Sequence, residues 1–417
     1  MMSIEKFYPH VSWKRLDTQV TLVHDSIETV KKCKSPFGIR HALNAVTVSY
    51  SMQWFDWARW ERMIDWMVLN GINAPLMPLG HLAVQRLMLK DFNMTDSTWT
   101  PGPAFLSWAR MGNLQKWAGP PSDGWIAEEL SLGVKVAARM RLLGMSPVMP
   151  AFSGFVPDSF ANLYPNTTMQ HLSTWAGFNC TYSCIVRFQS KDSFRAENDC
   201  MNPEKVWIDP TDQMFSELQR SYTTHQKHLF GFSPKYFAMD SFNEVTPQSN
   251  APDFLAKTSK MQFSSLPSGS TWIMQGWLFL DTHFWQPDQI KAYVQGVPIG
   301  KVIILDLFGE IKPLFAKTDS FYGQHFVWCY LGNFGGNTGW YGGITDAEES
   351  LSMAMNMANT SIVGTGIVPE GLFQNEFVYD YVLQLGYEGI VKKDIEGFSK
   401  DWVRARYGPH ALQVLFF

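Results

Sequence analysis

The order of apolar segments along this chain predicts an α/β fold, namely a (β/α)8 barrel of the TIM type. Short continuous apolar runs, typical of strands buried on both faces of a sheet, alternate with longer segments of helical periodicity. Strand and helix alternation indicates parallel strands, and eight runs match the eight strands of such a barrel. The runs are residues 72–77, 146–151, 182–188, 236–242, 272–277, 302–308, 326–331 and 361–368.

Helices are predicted between these runs, for example over residues 54–69, 126–143, 253–263, 347–357 and 376–385. The first of them carries several tryptophans whose spacing predicts rings buried on one side. A doubly wound open sheet is the alternative, but it typically has a glycine-rich phosphate turn after its first strand. The first apolar run is followed by Pro-Leu-Gly-His at residues 78–81, which is no such turn. The barrel is therefore the favoured architecture.

The composition is that of a large globular chain with a small net charge. The 417 residues are 46% hydrophobic, 15% aromatic and 17% charged, and 34 Lys and Arg face 38 Asp and Glu. The net charge of −4 gives no basic footprint for nucleic acid or for an acidic membrane. No run approaches the roughly 18 apolar residues of a membrane span, and residues 1–13 contain no apolar signal core. We expect neither a nucleic acid partner nor a membrane span.

Cysteines and glycosylation sequons bear on the compartment. Five cysteines without a CxxC pair argue against a disulfide scaffold and structural zinc, although a bond between Cys180 and Cys184 stays open. Four Asn-x-Ser/Thr sequons favour the secretory route, with unmodified sequons as the alternative. A secreted chain without a signal peptide would begin downstream of its natural N-terminus. The sequons start at Asn93, Asn166, Asn179 and Asn359.

Cofactor motifs are missing from the sequence. It contains no HExxH, no GxSxG and no GxGxxG. Residues 296–301 approach a phosphate loop but are one residue short, lack Ser or Thr after the lysine, and precede a strand. We therefore expect neither a cofactor nor a metal.

Two glutamates follow apolar runs, at the strand ends where barrels carry their chemistry. Glu244 follows residues 236–242 and Glu370 follows residues 361–368. A carboxyl group at the mouth of an apolar strand is partly desolvated, which raises its pKa and suits it to proton donation. Two such groups form the constellation for glycoside hydrolysis, in which one donates a proton and the other attacks the sugar or activates water. The alternative is that each caps a helix or forms a surface ion pair. Further acids near strand ends are Asp240, Asp306, Glu310 and Glu376.

Aromatic residues are the second feature of the predicted mouth. Seventeen tryptophans are unusual for this length, and several fall near predicted loop ends. An indole ring offers an apolar face to a sugar and an N–H to a hydroxyl, although any one ring could instead belong to the core. The glycines of residues 332–337 predict a tight backbone turn beside them. The tryptophans concerned are Trp108, Trp175, Trp277, Trp328 and Trp340.

Six ordered motifs resemble the lysosomal-type α-N-acetylglucosaminidases, glycoside hydrolase family 89. The resemblance runs from about residue 10 to the end of the chain. The motifs are Tyr50-Ser51 with Trp57-Ala58-Arg59-Trp60-Glu61-Arg62, Gly102-Pro103-Ala104-Phe105, Phe242-Asn243-Glu244, Gln275-Gly276-Trp277-Leu278-Phe279, Asn333-Phe334-Gly335-Gly336-Asn337 and Pro369-Glu370-Gly371.

The resemblance implies a (β/α)8 barrel between a small N-terminal domain and an all-α C-terminal domain. Residues 1–35 would be the remnant of the first, residues 36–380 the barrel and residues 381–417 the start of the last. The implied activity is retaining hydrolysis of terminal α-linked N-acetylglucosamine, in animals chiefly from heparan sulfate in lysosomes, so a lysosomal or secreted location is expected. Glu244 would be the general acid/base and Glu370 the nucleophile. The family's pocket positions fall on Tyr50, Trp108, Trp175, Asn243 and Trp277.

This chain departs from the family pattern at the predicted mouth. Residues 78–83 read Pro-Leu-Gly-His-Leu-Ala where the family usually has Trp-Ser-Gly-Gln-Glu-Ala, Val46 stands in place of a cysteine, and Thr338 in place of a histidine. The chain also ends near the point where the α-domain would begin. The alternative hypothesis is therefore a catalytically weak or inactive carbohydrate-binding barrel. The sequence does not determine the oligomeric state.

Overall fold

The computed structural model describes residues 11–16, 19–24, 35–95, 98–173, 175, 206–335, 342–388 and 394–408. Its first element is an antiparallel hairpin of strands β1 (Val11–Leu16) and β2 (Gln19–His24). The hairpin lies in the segment that the sequence assigns to a small N-terminal domain.

Eight parallel strands form a ring. Each strand pairs in parallel with the next one in the sheet, and a parallel bridge between Leu76 and Val148 joins the first strand of the sheet to the last. This arrangement confirms the predicted (β/α)8 barrel. The strands are β3 (Ile39–Ala42), β4 (Ala74–Pro75), β5 (Val148–Pro150), β9 (Tyr236–Ala238), β10 (Thr271–Gln275), β11 (Val302–Asp306), β12 (His325–Tyr330) and β13 (Ile362–Ile367).

The first barrel strand is one that the sequence pattern missed. Strand β3 reads Ile-Arg-His-Ala and contains no continuous apolar run. His41 is nevertheless buried, because its two ring nitrogens lie 2.7 Å from the Ala74 carbonyl and 3.2 Å from the Leu43 carbonyl. The predicted strand over residues 182–188 lies outside the described residues. Strand β5 pairs directly with β9, and β3 completes the set of eight strands.

Between β5 and β9 lies a small three-stranded antiparallel sheet. Strand β8 (Val206–Ile208) is central, with β6 (Phe155–Val156) on one side and β7 (Met169–His171) on the other. Trp175 follows β7 by four residues. This sheet therefore brings the segment that carries Trp175 to the mouth of the barrel.

Helices surround the barrel, and the five predicted ones are confirmed with small changes at their ends. In the first helix Trp60 is fully buried, whereas Trp54 lies outside the helix and is 69% exposed. Asp56 caps this helix by accepting the Arg59 N–H at 2.9 Å. The helices are α1 (Trp57–Leu69), α2 (His81–Asp91), α3 (Leu106–Arg110), α4 (Asp123–Leu142), α5 (Phe160–Leu163), α6 (Gln213–Phe230), α7 (Pro252–Ser264), α8 (Pro287–Gln295), α9 (Ile344–Asn356), α10 (Glu376–Glu388) and α11 (Ile395–Tyr407).

Shorter turns complete the architecture. A π-helical turn covers Val48–Met52, and 3-10 turns cover Pro103–Phe105 and Gly276–Leu280. Residues Asp319–Tyr322 form one turn with positive φ angles. Within the described part of the chain, no helix has the length and hydrophobicity needed to cross a membrane.

Candidate active site

Glu244 lies just beyond β9, and three side-chain N–H groups point at its carboxyl group. The Trp277 indole N–H donates to Oε1 at 2.8 Å, and the Asn113 amide donates to Oε2 at 3.1 Å. The Trp175 indole N–H also donates to Oε2. Glu244 itself is exposed. Its carboxyl group is therefore fixed in orientation by neutral donors while a face of it remains open to a ligand.

The donors reach Glu244 from three different loops. Trp277 belongs to the 3-10 turn directly after β10, and Trp175 follows β7. Asn113 ends the turn after α3, where its N–H bonds to the Trp108 carbonyl at 2.8 Å. Gly112 makes this turn possible, because its φ is +77° and a Cβ there would lie 2.0 Å from the Phe155 ring.

Glu370 lies beyond β13 and is half-buried. Its Oε2 accepts the backbone N–H of Gly335 at 2.7 Å. Burial raises the pKa of Glu370, the Gly335 hydrogen bond opposes that rise, and the negative charge of Glu244 adds to it. The two carboxyl groups therefore face one mouth closely enough for the charge of one to influence the other.

Hydroxyl groups of the turn at residues 47–51 hold the backbone around Glu370. The Thr47 hydroxyl donates to the Pro369 carbonyl at 2.9 Å. The Ser51 hydroxyl donates to the Glu370 carbonyl at 3.0 Å and accepts the Leu372 N–H at 3.0 Å. Since the carbonyls of Pro369 and Glu370 are both hydrogen-bonded, the backbone at Glu370 is held in position.

Aromatic rings connect the two glutamates. The Tyr50 ring packs edge-on against Trp108 with centroids 5.0 Å apart, and Trp108 lies 6.3 Å from Trp175. Tyr50 is 48% exposed, and its pKa is raised by partial burial and by the charges of Glu370 and Glu244. The rings form a wall beside both carboxyl groups and offer apolar surface there.

Asn243 and Asn113 each keep an unpaired oxygen near this wall. Asn243 is 8% exposed and Asn113 is fully buried. Neither Oδ1 atom has a hydrogen-bond partner among the described residues. A buried amide oxygen without a partner costs free energy, so these two acceptors are unsatisfied polar groups beside the wall.

The other acids near strand ends have structural partners. The carboxyl group of Asp240 accepts the Gln275 N–H at 2.8 Å, and Glu376 forms an ion pair with Arg406. Asp306 accepts the N–H groups of residues 314 and 315, both at 2.9 Å. Glu310 accepts two backbone N–H groups after β12, and burial raises its pKa to about 7.

Several predicted features lie elsewhere. Trp328 is a core residue, fully buried, whose indole N–H donates to the Ser350 hydroxyl at 3.1 Å. Its interpretation as a mouth residue was wrong because it lies inside β12 rather than after it. Thr338 and Trp340 lie outside the described residues, as do Cys180 and Cys184.

The departure at residues 78–83 produces an apolar segment. Leu79 and Leu82 are buried, and the His81 ring bonds through Nδ1 to the Pro78 carbonyl at 2.9 Å. Burial lowers the pKa of His81 to about 4, with Arg110 adding to the effect. This segment therefore contributes packing rather than charge.

Sequence reasoning missed Asn113, because nothing in its surroundings distinguishes it from a loop asparagine. It also missed the roles of Thr47 and Ser51. Gly335 had been expected only to shape a turn, and its N–H contacts Glu370.

Known proteins are similar to this chain over nearly its full length. The model of the alpha-N-acetylglucosaminidase (NAGLU) TIM-barrel domain matches residues 40–199 and 191–389, which include both glutamates. The chain belongs to the alpha-N-acetylglucosaminidase family. It is 36% identical to human alpha-N-acetylglucosaminidase over 406 residues, which are 96% of this chain and 52% of the human protein. The chain thus spans about half the length of this family member.

Solved structures have the same fold. A family 89 glycoside hydrolase from Clostridium perfringens, in complex with 2-acetamido-1,2-dideoxynojirmycin, matches with a TM-score of 0.78 and 22% identity, over 97% of this chain and 43% of that protein. A variant of that enzyme in complex with GlcNAc-alpha-1,4-galactose matches with the same TM-score and 21% identity, over 97% of this chain and 44% of that one. This chain and the C. perfringens enzyme therefore share the barrel fold.

Proposed function

We propose that this barrel is a retaining glycosidase that releases terminal, non-reducing α-linked N-acetylglucosamine. The observation that carries the proposal is the pair of carboxyl groups at one mouth, Glu244 with three N–H donors and Glu370 half-buried with one. Family membership supports the sugar, and the C. perfringens enzyme of the same fold binds GlcNAc-alpha-1,4-galactose. Heparan sulfate-type glycans are the proposed natural substrates.

In the proposed first step, Glu370 attacks the anomeric carbon and Glu244 gives its proton to the departing oxygen. The Gly335 N–H engages Oε2 of Glu370, and we assign the attack to Oε1. As the proton leaves Glu244, its carboxyl group becomes negatively charged. The N–H groups of Trp277, Trp175 and Asn113 stabilise that charge as it develops, which lowers the barrier.

In the second step, Glu244 takes a proton from water and the water attacks the glycosyl ester on Glu370. The sugar is released with its α configuration retained, and both carboxyl groups return to their starting states. A carboxyl separation of about 5 to 5.5 Å is expected for this mechanism, whereas an inverting enzyme would need about 6.5 to 9.5 Å.

Two substitutions test the roles. Glu370→Gln should lower kcat for a chromogenic α-N-acetylglucosaminide by about 10⁴-fold or more, because no nucleophile remains. Glu376→Gln is the matched control, since that glutamate pairs with Arg406 and should leave turnover near the wild-type value. Equal activities of the two variants would remove Glu370 from the mechanism.

For Glu244→Ala, turnover of a substrate with a poor leaving group should fall by about 10² to 10⁴. A substrate with an activated leaving group should lose much less, because its oxygen needs little protonation. Proton NMR of the first-formed sugar tests stereochemistry, and an initial β anomer would contradict the retaining assignment.

The second candidate function is carbohydrate binding without turnover. The apolar segment at residues 78–83 favours it, since a polar part of the family's mouth is replaced. Binding of N-acetylglucosamine, followed by tryptophan fluorescence, in a chain that never releases the chromophore would support this alternative over the glycosidase.

A lysosomal or secreted location is proposed with N-glycosylation. The sequon asparagines Asn93, Asn166 and Asn359 are all exposed, and Asn179 lies outside the described residues. Expression in a eukaryotic secretory host with an added signal peptide should give a chain that endoglycosidase shortens. Substituting each exposed asparagine by Gln should remove one glycan, and an unchanged mass would exclude that sequon. We also propose that the barrel domain covers residues 36–380, between the end of a small N-terminal domain and the start of an all-α domain.

A further inference from the structure

Glu310 has no part in the proposed reaction, yet its carboxyl group is buried at the end of β12. Its Oε1 accepts the N–H of Gly332 at 2.7 Å and that of Leu331 at 3.1 Å, and its Oε2 lies 3.2 Å from the Leu331 nitrogen. Only 6% of the residue is exposed. Because a buried carboxyl group is costly unless it is hydrogen-bonded, these backbone contacts define its position.

The backbone that Glu310 holds leads directly to Glu370. Residues 331–335, here called the clamp segment, begin where Glu310 binds and end at Gly335, whose N–H donates to Glu370 Oε2 at 2.7 Å. Midway, the Asn333 side chain accepts the Gly371 N–H at 2.8 Å and donates to the Gly371 carbonyl at 3.0 Å. The clamp segment is therefore fixed at its start by Glu310 and at its middle by the residue that follows Glu370.

Glycines allow the clamp segment to follow this path. Gly332 has a φ of +72°, and a Cβ on it would lie 2.5 Å from the Tyr330 ring. A Cβ on Gly335 would lie 2.4 Å from the Tyr50 ring. Glycine can adopt this backbone conformation but does not restrict the chain to it. Hydrogen bonds with Glu310 and Asn333 therefore hold the segment in place.

We propose that Glu310 is a positioning residue for Glu370, acting through the clamp segment to direct the Gly335 N–H at its carboxyl group. This inference rests on the proposed function of Glu370 as nucleophile. Without an acceptor at position 310, the Leu331 and Gly332 N–H groups lose their partners and the segment rearranges to find others. The hydrogen bond to Glu370 then weakens, and its carboxyl group is less precisely oriented.

Gln324 provides a matched control at the opposite end of the same strand. It is fully buried, accepts the Gly300 N–H at 3.2 Å, and donates to the carbonyls of Val294 at 2.9 Å and Val297 at 2.6 Å. Gln324→Ala therefore also leaves buried backbone groups unpaired, but at the end of β12 away from Glu370. Any effect of lost stability alone should occur in both variants.

The decisive measurement is the pKa of Glu370, read by carboxyl ¹³C NMR on the full chain and assigned by the signal that Glu370→Gln removes. In Glu310→Leu it should rise by about one unit, because a backbone N–H that favours the carboxylate is lost. Glu310→Gln keeps one acceptor oxygen and should show a smaller rise, and Gln324→Ala none. A pKa of Glu370 that is equal in wild type and Glu310→Leu would overturn the proposal.

Kinetics provide the second readout. Glu310→Leu should lower kcat by up to about 100-fold with little change in KM, since misorientation affects the attack rather than sugar binding. Partial recovery of kcat in Glu310→Gln is expected.

Should Glu310→Leu not fold, Glu310→Asp retains a carboxyl group but withdraws it from the amides, and the same rise in the pKa of Glu370 is expected. An inactive wild type in which the pKa still responds would refute the proposed function and leave the positioning role supported.

Discussion

Replacing Trp277 with Phe removes one N–H group and little else. The indole N–H lies 2.8 Å from Oε1 of Glu244, and the ring packs edge-on against Phe334 with centroids 6.1 Å apart. A phenyl ring can keep that packing but cannot donate. The substitution therefore tests the donor role separately from the shape of the wall.

The expected magnitude follows from the hydrogen bond to a charged acceptor. Such bonds contribute about 1.5 to 3 kcal/mol. Trp277 is half-buried and Glu244 is exposed, so the lower value of about 1.5 kcal/mol applies, which corresponds to about a tenfold loss of kcat. The loss should appear mainly in kcat, since in the proposed reaction the charge on Glu244 develops as the proton departs.

The assay compares two chromogenic α-N-acetylglucosaminides that differ in leaving-group acidity. Trp277→Phe should affect the poorer leaving group more, because that reaction depends on proton transfer from Glu244. Trp328→Phe is the control, since it removes an indole N–H that binds Ser350 within the core. Equal values of kcat/KM for the two variants, with either substrate, would refute the donor role of Trp277.

Two further predictions concern backbone and charge. Gly335→Ala places a methyl group 2.4 Å from the Tyr50 ring and should lower kcat more than tenfold, by about the loss of one preorganised donor. Burial lowers the pKa of His41 to about 4, so His41 alone should lower the free energy of unfolding by about 2 kcal/mol between pH 7 and pH 5, because the unfolded chain binds a proton that the folded one excludes. Urea titrations of wild type and His41→Gln measure this contribution as the difference between their pH dependences.

Each of these has its own check. Gly124→Ala is the control for Gly335→Ala, since the nearest atom to a Cβ at Gly124 is 4.0 Å away, and an equal fall in activity would argue against a local clash. His41→Gln should reduce the pH dependence of stability, and an unchanged dependence would place that proton uptake elsewhere.

The barrel was predictable because most of its strands are covered on both faces. Covered strands carry apolar residues without interruption, and these runs locate seven of the eight strands. Strand β3 escaped because the backbone carbonyls of Leu43 and Ala74 satisfy His41 inside the barrel. A polar residue that finds its partners only after folding carries no local sign of burial.

Glu244 and Glu370 were also predictable from the sequence, because strand ends of a parallel barrel meet at one face wherever they lie in the chain. Their partners were not. Asn113 is 131 positions from Glu244, and Gly335 is 35 positions from Glu370. The sequence by itself determined the two carboxyl groups of the mouth and the fold that presents them. Only the tertiary structure decided which N–H groups meet each carboxyl group, because hydrogen bonds depend on distances that closure of the barrel creates.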